Sequence, residues 1–512
     1  MARFKNYSYE QTIMLPVRYD QQILPGSFEE AINQIVDNYI DLSVFESKYR
    51  NDKTGATAFN PSILLKIVLL AYSRGITSSR KIEDLCNENV VFIAISADSH
   101  PDHSTIAAFI SSMEKEITSI FINILMMCEE MGLIGGTMFA IDGCKLPSNA
   151  SKEWSGTRAD FIKKKGKIEK TVKHLMSQHK EKDKEEINKS DDDDRGKRII
   201  KLKNKIEKIT KWINENEDKP GAKGNIRKSN ITDNESAKMP SSHGVIQGYN
   251  GIAVADKKHQ VIINAEAYGE GSEQRLLKDV LDITEENLKA IGKDEDYLKE
   301  GKIITDSGYH SKENVHMVHE KGLDAYIPDH RFRKRDSRFE TAEKHKHPVD
   351  RYKTNRTTKY FMPKDFTYDK EKQKLICPSG SAMYICNRNF ERFGRKAIAY
   401  RAKITACRVC ELRAKCLRNP NTISRQVHIF YDHEGAKDSL LEKMKKKIDS
   451  VAGRYIYSKR MGIIEPVFGN IKNNLGLTKF TLRGKPKINI QWKLFAIIHN
   501  IGKIYRYGMD FA

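Results

Sequence analysis

Three short segments, far apart along the chain, each set one carboxylate among apolar residues and glycines. They are Met138-Phe-Ala-Ile-Asp142-Gly, Ile303-Ile-Thr-Asp306-Ser-Gly-Tyr309 and Ile463-Ile-Glu465-Pro-Val-Phe-Gly469. The first two read as buried β-strands, each ending at its aspartate. An ionised carboxylate beside a buried strand is costly to desolvate unless a cation meets it. A divalent metal is the usual answer, because Mg²⁺ takes one or two carboxylates and keeps waters or phosphate oxygens for its other positions. If the two strands pair side by side, Asp142 and Asp306 converge at one place on a sheet.

At 512 residues the chain is too long for one core, and two to four domains are expected. The formal net charge of +21 favours a polyanionic partner, since Lys and Arg displace counterions from phosphates. The excess is uneven: residues 451–512 hold 11 Lys or Arg against two acids, Glu465 and Asp510. Three carboxylates on so basic a chain point to phosphoryl transfer on nucleic acid, in which two Mg²⁺ ions hold the attacking and leaving oxygens. The longest apolar stretch, Ile117–Met127, is too short to span a bilayer and has Glu114, Glu116, Glu129 and Glu130 on its flanks. The N-terminus lacks a signal-peptide core. Eight cysteines then argue for reduced thiols or metal ligation, and for a cytoplasmic protein associated with the nucleoid when bound to DNA.

Residues 1 to about 130 read as helical. Ser27-Phe-Glu-Glu30 is a capping box ahead of Phe28, Ile32, Ile35 and Tyr39. Asn60-Pro61 opens a second helix through Ile63, Ile67 and Leu70, ending at Gly75, and a third spans about Ser78–Cys86. This pair is either a helix-turn-helix offering Ser79, Arg80 and Lys81 to DNA or an ordinary helical hairpin. Further helices start near Ser104 and cover Met113–Met131. After the strand Thr137–Asp142 a charged segment carries two apolar seams, Ile168, Val172, Leu175 and Ile199, Leu202, Ile206, Ile209, Ile213. They predict an antiparallel helical hairpin turning at Asp191–Gly196, against a disordered linker as the alternative. Strands at Val245–Ala255 and Val261–Ala267, a helix over Glu273–Ile291, a strand at Lys302–Thr305, a short helix after Ser311 and a strand at Ala325–Ile327 complete an α/β order.

Around Glu465, Tyr457, Met461, Ile464, Phe468, Ile471 and Leu475 keep helical spacing. On a continuous helix Glu465 and Lys472 stand two turns apart on one side. Pro466 requires either a kink at Glu465 or a helix restarting at the proline.

These residues carry a resemblance. Tyr457-Ser-Lys-Arg460, Glu465, Lys472 and Leu482-Arg483-Gly484 are similar to the Y-R-E-K signature of DDE-class insertion-sequence transposases. Ala140-Ile-Asp142-Gly and Thr305-Asp306-Ser-Gly-Tyr309 resemble the two Asp motifs of that group, and Val245-Ile-Gln-Gly248-Tyr249-Asn250 its second-strand motif. The segment Asn60–Phe109, with Pro101-Asp-His-Ser-Thr105-Ile, resembles its helical N-terminal domain. The resemblance implies an RNase H-like catalytic domain, with Asp142, Asp306 and Glu465 as catalytic ligands of two Mg²⁺ ions that Mn²⁺ can replace. It further implies that Tyr457, Arg460, Lys472 and Arg483 contact DNA, and that terminal repeats and target are double-stranded DNA handled by a homodimeric synapse. Arg460 and Glu465 are separated by four residues where the commonest signature has three, which bears on the role of Arg460. A nuclease of the same fold without strand transfer, and a non-catalytic DNA-binding protein, remain alternatives.

Cys377-Pro-Ser-Gly380, Cys407-Arg-Val-Cys410 and Cys416 supply four thiols suited to a structural Zn²⁺, with Cys386 a fifth candidate and free buried thiols the alternative. Arg401, Lys403, Arg408, Arg413, Lys415 and Arg418 would let this module lie on DNA. Cys86, Cys128 and Cys144 read as core residues. The expected architecture is an all-α N-terminal DNA-binding domain (1–132) and an α/β, RNase H-like core (133–158 and 240–330) interrupted by a charged helical-hairpin insertion (159–239). A small basic and cysteine-rich module (331–430) and C-terminal helices carrying the catalytic Glu (431–512) complete it.

Overall fold

The computed structural model describes residues 18–49, 57–182, 189–221, 226–241, 244–339, 341, 360–369, 373–392, 395–430 and 439–508. Contacts divide the chain into one unit of residues up to 327 together with those from 455 onward, and a second of residues 328–454.

The first unit is built on a mixed six-stranded sheet: β1 (Met138–Pro147), β2 (Ala237–Ser241), β3 (Gly244–Asp256), β4 (Ile262–Tyr268), β5 (Lys302–Thr305) and β6 (Asp324–Tyr326). The order is β6-β5-β1-β3, with β2 and β4 sharing the far edge of β3. β1, β5 and β6 are parallel, and β3 runs antiparallel to β1. Met138, Phe139, Ala140, Ile141, Ile303 and Ile304 are all buried, as continuous apolar runs in a sheet covered on both faces should be. β1 does not stop at Asp142 but continues to Pro147, paired with β3 as far as Gly248. The polar sequence after Asp142 hides this extension, which antiparallel pairing stabilises. β2 joins the sheet from within the span assigned to the insertion, so the insertion ends before Ala237.

The N-terminal helices are α1 (Phe28–Asn38), α2 (Pro61–Ser73), α3 (Ser79–Glu88), α4 (Val90–Ile95), α5 (His103–Ser112) and α6 (Glu116–Glu130). The caps read from sequence are present: Ser27 accepts from the Glu30 amide at 3.2 Å and Asn60 from that of Ser62 at 2.9 Å. The Glu30 carboxylate accepts from the Gly26 amide instead of that of Ser27. Arg80 and Lys81 are exposed on α3, whereas Ser79 is half-buried.

The insertion is α7 (Arg158–Lys182) and α8 (Lys189–Glu215), packed on one another and anchored at their sheet end by Phe161, Ile209 and Trp212. Val172, Ile199 and Ile209 of the expected seams are buried. Asp191–Asp194 lie in the first turns of α8, not in a turn, and residues 183–188, which join the helices, are outside the described residues. Acidic residues suit a helix N-terminus, where unpaired amides carry partial positive charge. Helices α9 (Leu277–Ala290) and α10 (Lys312–Glu320) complete the α/β order.

The second unit contains a five-stranded antiparallel meander, β7 (Thr367–Asp369), β8 (Lys374–Ile376), β9 (Ala382–Arg392), β10 (Arg395–Ala402) and β11 (Gln426–Phe430), and the helix α11 (Leu440–Asp449). Its core is Phe366, Leu375, Met383, Ile398, Tyr400 and Val427. Part of its basic sequence is paired internally. Arg335 pairs with Asp329 and Asp449, Arg338 and Arg454 with Asp336, whose carboxyl these arginines hold down at about 2. Arg413, read from sequence as a DNA-facing cation, instead donates to the carbonyls of Cys407 and Thr422.

Helix α12 (Val451–Gly469) carries Glu465, and α13 (Lys485–Tyr507) runs through the middle of the first unit. Trp492, Leu494, Phe495, Ile497 and Ile501 of α13 are fully buried, and the helix packs on α2, α6 and β4. β4 is an edge strand, whose unpaired backbone groups need partners. Asn500 accepts from the Ile262 amide and donates to the Ile262 carbonyl, and Asn489 accepts from the Ala267 amide. Among the described residues no helix is long and apolar enough to cross a membrane.

Candidate active site

Parallel pairing of β1 with β5 sets Ile141 opposite Thr305, so Asp142 and Asp306 follow side by side. Glu465 joins them from α12, and the three acids line one open cleft of about 750 Å³ together with Gly143, Lys145, Glu273, Gly308, Phe468 and Lys472.

Pro466 neither ends nor restarts α12, which runs unbroken past it. A proline removes the amide that would bond the carbonyl four residues earlier, and its ring crowds that carbonyl. That carbonyl belongs to Gly462, and the Gln260 side chain donates to it at 3.1 Å. Gln260 sits at the β3–β4 turn with φ +62°, and its own amide oxygen accepts from Lys503 of α13. The helix bearing Glu465 is thus tied to the sheet at its proline. Beyond Gly469 the chain makes a π-helical turn, Asn470–Asn474, which carries Lys472 into the cleft. Such turns are frequent at functional sites.

Asp142 is 15 % exposed and is met by the buried Arg460, whose Nη1 lies 2.5 Å from Oδ2. The other oxygen, Oδ1, accepts from the Gly143 amide at 2.8 Å. Burial raises the Asp142 pKa, the Arg460 charge opposes the rise, and Asp306 adds to it. For Arg460 burial disfavours the charge, but Asp142 outweighs it and the pKa is raised. Its second guanidinium nitrogen is 3.9 Å from Glu465, which is 53 % exposed. Arg460 is therefore engaged with the acids, while its Nε has no partner among the described residues. Tyr457 is half-buried and lies near Arg460 on the same helix. Arg483 is exposed, donates to the Asn149 carbonyl, and does not line the cleft.

Sequence reasoning misses Glu273 as a site residue. It lies in the short turn between β4 and α9, accepts from Asn250 at 3.1 Å, and is pushed up to about 7, first by burial and then by the Asp142 charge. Its sequence signal is weak, because it reads as the first residue of the helix expected over Glu273–Ile291, whereas the helix starts only at Leu277 and Glu273 lies in the 3-10 turn before it. Lys145 is also hidden, within a polar stretch that reads as a loop.

The donors here are hard oxygens, of the kind Mg²⁺ prefers, and Asp142, Glu273, Asp306 and Glu465 line one cleft in which Arg460 is paired to Asp142. The residues therefore suit a divalent cation. Among the described residues no group of three or more His, Cys, Asp or Glu side chains is arranged to hold a metal ion as it stands.

In the second unit Cys377, Cys407, Cys410 and Cys416 line one cavity of about 30 Å³. The Cys377 thiol is lowered, with hydrogen bonds from Ser379 and Ser381 outweighing its burial, whereas burial raises Cys416. Cys386 is not part of this group: its thiol donates to the Ala399 carbonyl. Cys86, Cys128 and Cys144 are core residues as expected, and burial pushes the Cys144 thiol up to about 12.

Two family models match the chain. One, described as a transposase DDE domain, covers residues 376–505 and so includes Tyr457, Arg460, Glu465 and Lys472. The other, described as a transposase domain (DUF772), covers residues 17–112. A search of curated proteins finds no match. Asp142 and Asp306 lie outside both matched segments, and strand pairing brings them to the cleft that Glu465 lines. The two matches indicate an insertion-sequence transposase of the DDE class.

Proposed function

We propose that this transposase cuts and rejoins the ends of its element by phosphoryl transfer at the Asp142–Asp306–Glu465 cleft, on an RNase H-like sheet. The observation that carries the reading is the shared cleft: three acids from three distant segments line it. The sheet supports it too, with three parallel strands beside an antiparallel hairpin and the two aspartates on adjacent strands.

Asp142, Asp306 and Glu465 would hold two Mg²⁺ ions, which when bound neutralise charge on the attacking and leaving oxygens. The protein's own residues do the rest. Burial raises the Asp142 pKa and Arg460 opposes that rise, which favours the carboxylate form that a metal ligand needs. Lys145 and Lys472 put positive charge into the cleft, where phosphate oxygens of double-stranded DNA would lie. Tyr457 and Arg483 would contact the backbone on either side. We further propose a structural Zn²⁺ at Cys377, Cys407, Cys410 and Cys416, supported by the four thiols sharing one cavity. Protein purified without chelator would then carry one zinc per chain, lost in Cys410→Ser; absence of zinc from the wild type would refute this site.

The test of the main reading is incubation with Mg²⁺ and labelled DNA bearing the element's ends. Wild-type protein should nick and rejoin those ends, whereas Asp142→Ala, Asp306→Ala and Glu465→Ala should bind without cutting. Cutting without joining would indicate a nuclease, and retained cutting in all three variants would overturn the site.

A further inference from the structure

Beyond the three signature carboxylates, the cleft holds a fourth acid in an unusual setting. Glu273 places its two carboxylate oxygens beside two glycines, each close in sequence to a catalytic aspartate. A Cβ added at Gly143, next to Asp142, would sit 3.0 Å from Glu273 Oε1 and 2.6 Å from Asn250 Oδ1. A Cβ at Gly308, two residues beyond Asp306, would sit 3.1 Å from Glu273 Oε2 and 3.8 Å from Asp306 Oδ2. Neither glycine has a positive φ, so the missing side chains make room for this carboxylate and are not required by the backbone.

Two buried polar groups at the same place have no partner among the described residues. Asn250 is fully buried; its amide nitrogen donates to Glu273 while its Oδ1 is unpaired. Tyr309 is fully buried, its hydroxyl is unpaired, and Glu273, Asp142 and Asp306 are its main charged neighbours. Unpaired buried acceptors and donors are uncommon and call for an unseen partner, such as an ion with its waters. A carboxylate, an acceptor and a hydroxyl around two aspartates make a set of oxygen atoms that a hydrated divalent cation can satisfy together.

We propose that Glu273 is a fourth carboxylate of the metal site, binding a divalent cation together with Asp142 and Asp306 and oriented for this by Asn250. The inference rests on the reading of the cleft as a metal-dependent active site. It assigns Glu273 to the cation and not to the DNA, whose phosphates it would repel. Gln at this position keeps the shape and the acceptor toward Asn250 but removes the charge.

The experiment is titration of full-length protein with Mn²⁺, free ion read by electron paramagnetic resonance, without DNA. The proteins compared are wild type, Glu273→Gln, Gly308→Ala and Asp306→Asn. Gly308→Ala is included because its methyl would sit 3.1 Å from Glu273 Oε2 and crowd that carboxylate without altering charge, so whichever of the two variants folds, by circular dichroism, decides the matter. Even outer partners of metal ligands typically alter affinity by about 10–100-fold, so Glu273→Gln should weaken Mn²⁺ binding at least about tenfold. Unchanged affinity in the folded Glu273 or Gly308 variant, with binding lost in Asp306→Asn, overturns the role of Glu273 and leaves the active site standing. Unchanged affinity in Asp306→Asn as well overturns the metal-site reading itself.

Discussion

Replacing Arg460 by Leu should destabilise the first unit mainly by stranding a charge. The guanidinium and the Asp142 carboxylate are 9 % and 15 % exposed and lie 2.5 Å apart. At an effective dielectric constant near 20, two charges about 4 Å apart attract by about 4 kcal/mol. Removing one member of a buried pair typically costs about 3–5 kcal/mol, because the other is left uncompensated. Leucine refills part of the volume, so an expected cost of about 3 kcal/mol at pH 8 is electrostatic in origin. The pH dependence carries the proof. Asp142 already has a raised pKa, and without Arg460 it rises further. A carboxyl raised in the folded state stabilises the fold below its unfolded pKa, and this contribution is lost as pH rises through the folded value. The cost of Arg460→Leu should therefore shrink between pH 8 and pH 5. Urea unfolding followed by tryptophan fluorescence is the assay, since Trp154, Trp212 and Trp492 all lie in the first unit. Combining the change with Asp142→Asn should recover much of the loss. A cost below about 1 kcal/mol at pH 8, or one that does not vary with pH and shows no coupling to Asp142→Asn, would refute the argument.

Lys472→Ala should weaken binding to DNA of any sequence and lower the slope of log K against log salt by about 1, as loss of one phosphate contact does; an unchanged slope removes Lys472 from the DNA. Trp492→Ala should cost about 3–5 kcal/mol in urea unfolding followed by circular dichroism, because the ring is fully buried and its Nε1 donates to the Ile252 carbonyl at 3.0 Å; a cost under about 1 kcal/mol would contradict the central place of α13. Because Glu273 is raised from 4.5 to about 7, the stability it contributes in acid is lost as pH rises across that window. Glu273→Gln should accordingly flatten the fall in unfolding free energy between about pH 4.5 and pH 7, and an identical slope would place the titration elsewhere.

Much of the site is legible in the sequence because its parts are local. A buried strand ending in an acid, a capped helix and a helical seam each declare themselves within a short stretch, and Asp142, Asp306, Glu465 and Lys472 can be read that way. Residues that depend on distant partners cannot. The resemblance makes Arg460 a DNA contact, and only the position of β1 makes it the partner of Asp142. Lys145 and Glu273 flank segments that look like loops, and they matter because β1 extends beyond Asp142 and the β4–α9 turn returns to it. The five-stranded sheet of the second unit is masked by its charged and cysteine-rich sequence.

Taken alone, the sequence determined many of the strands and helices of the first unit, where caps and seams fall, and which acids are set among apolar neighbours. These follow from short-range periodicity and from the cost of burying charge. Tertiary structure decided the register of β1 against β5 and β3, the passage of α12 through Pro466 with Gln260 taking the freed carbonyl, and the meeting of Glu273 with both aspartates. Each of these is a contact between residues far apart in the chain, made only when the sheet forms, so no local pattern encodes it.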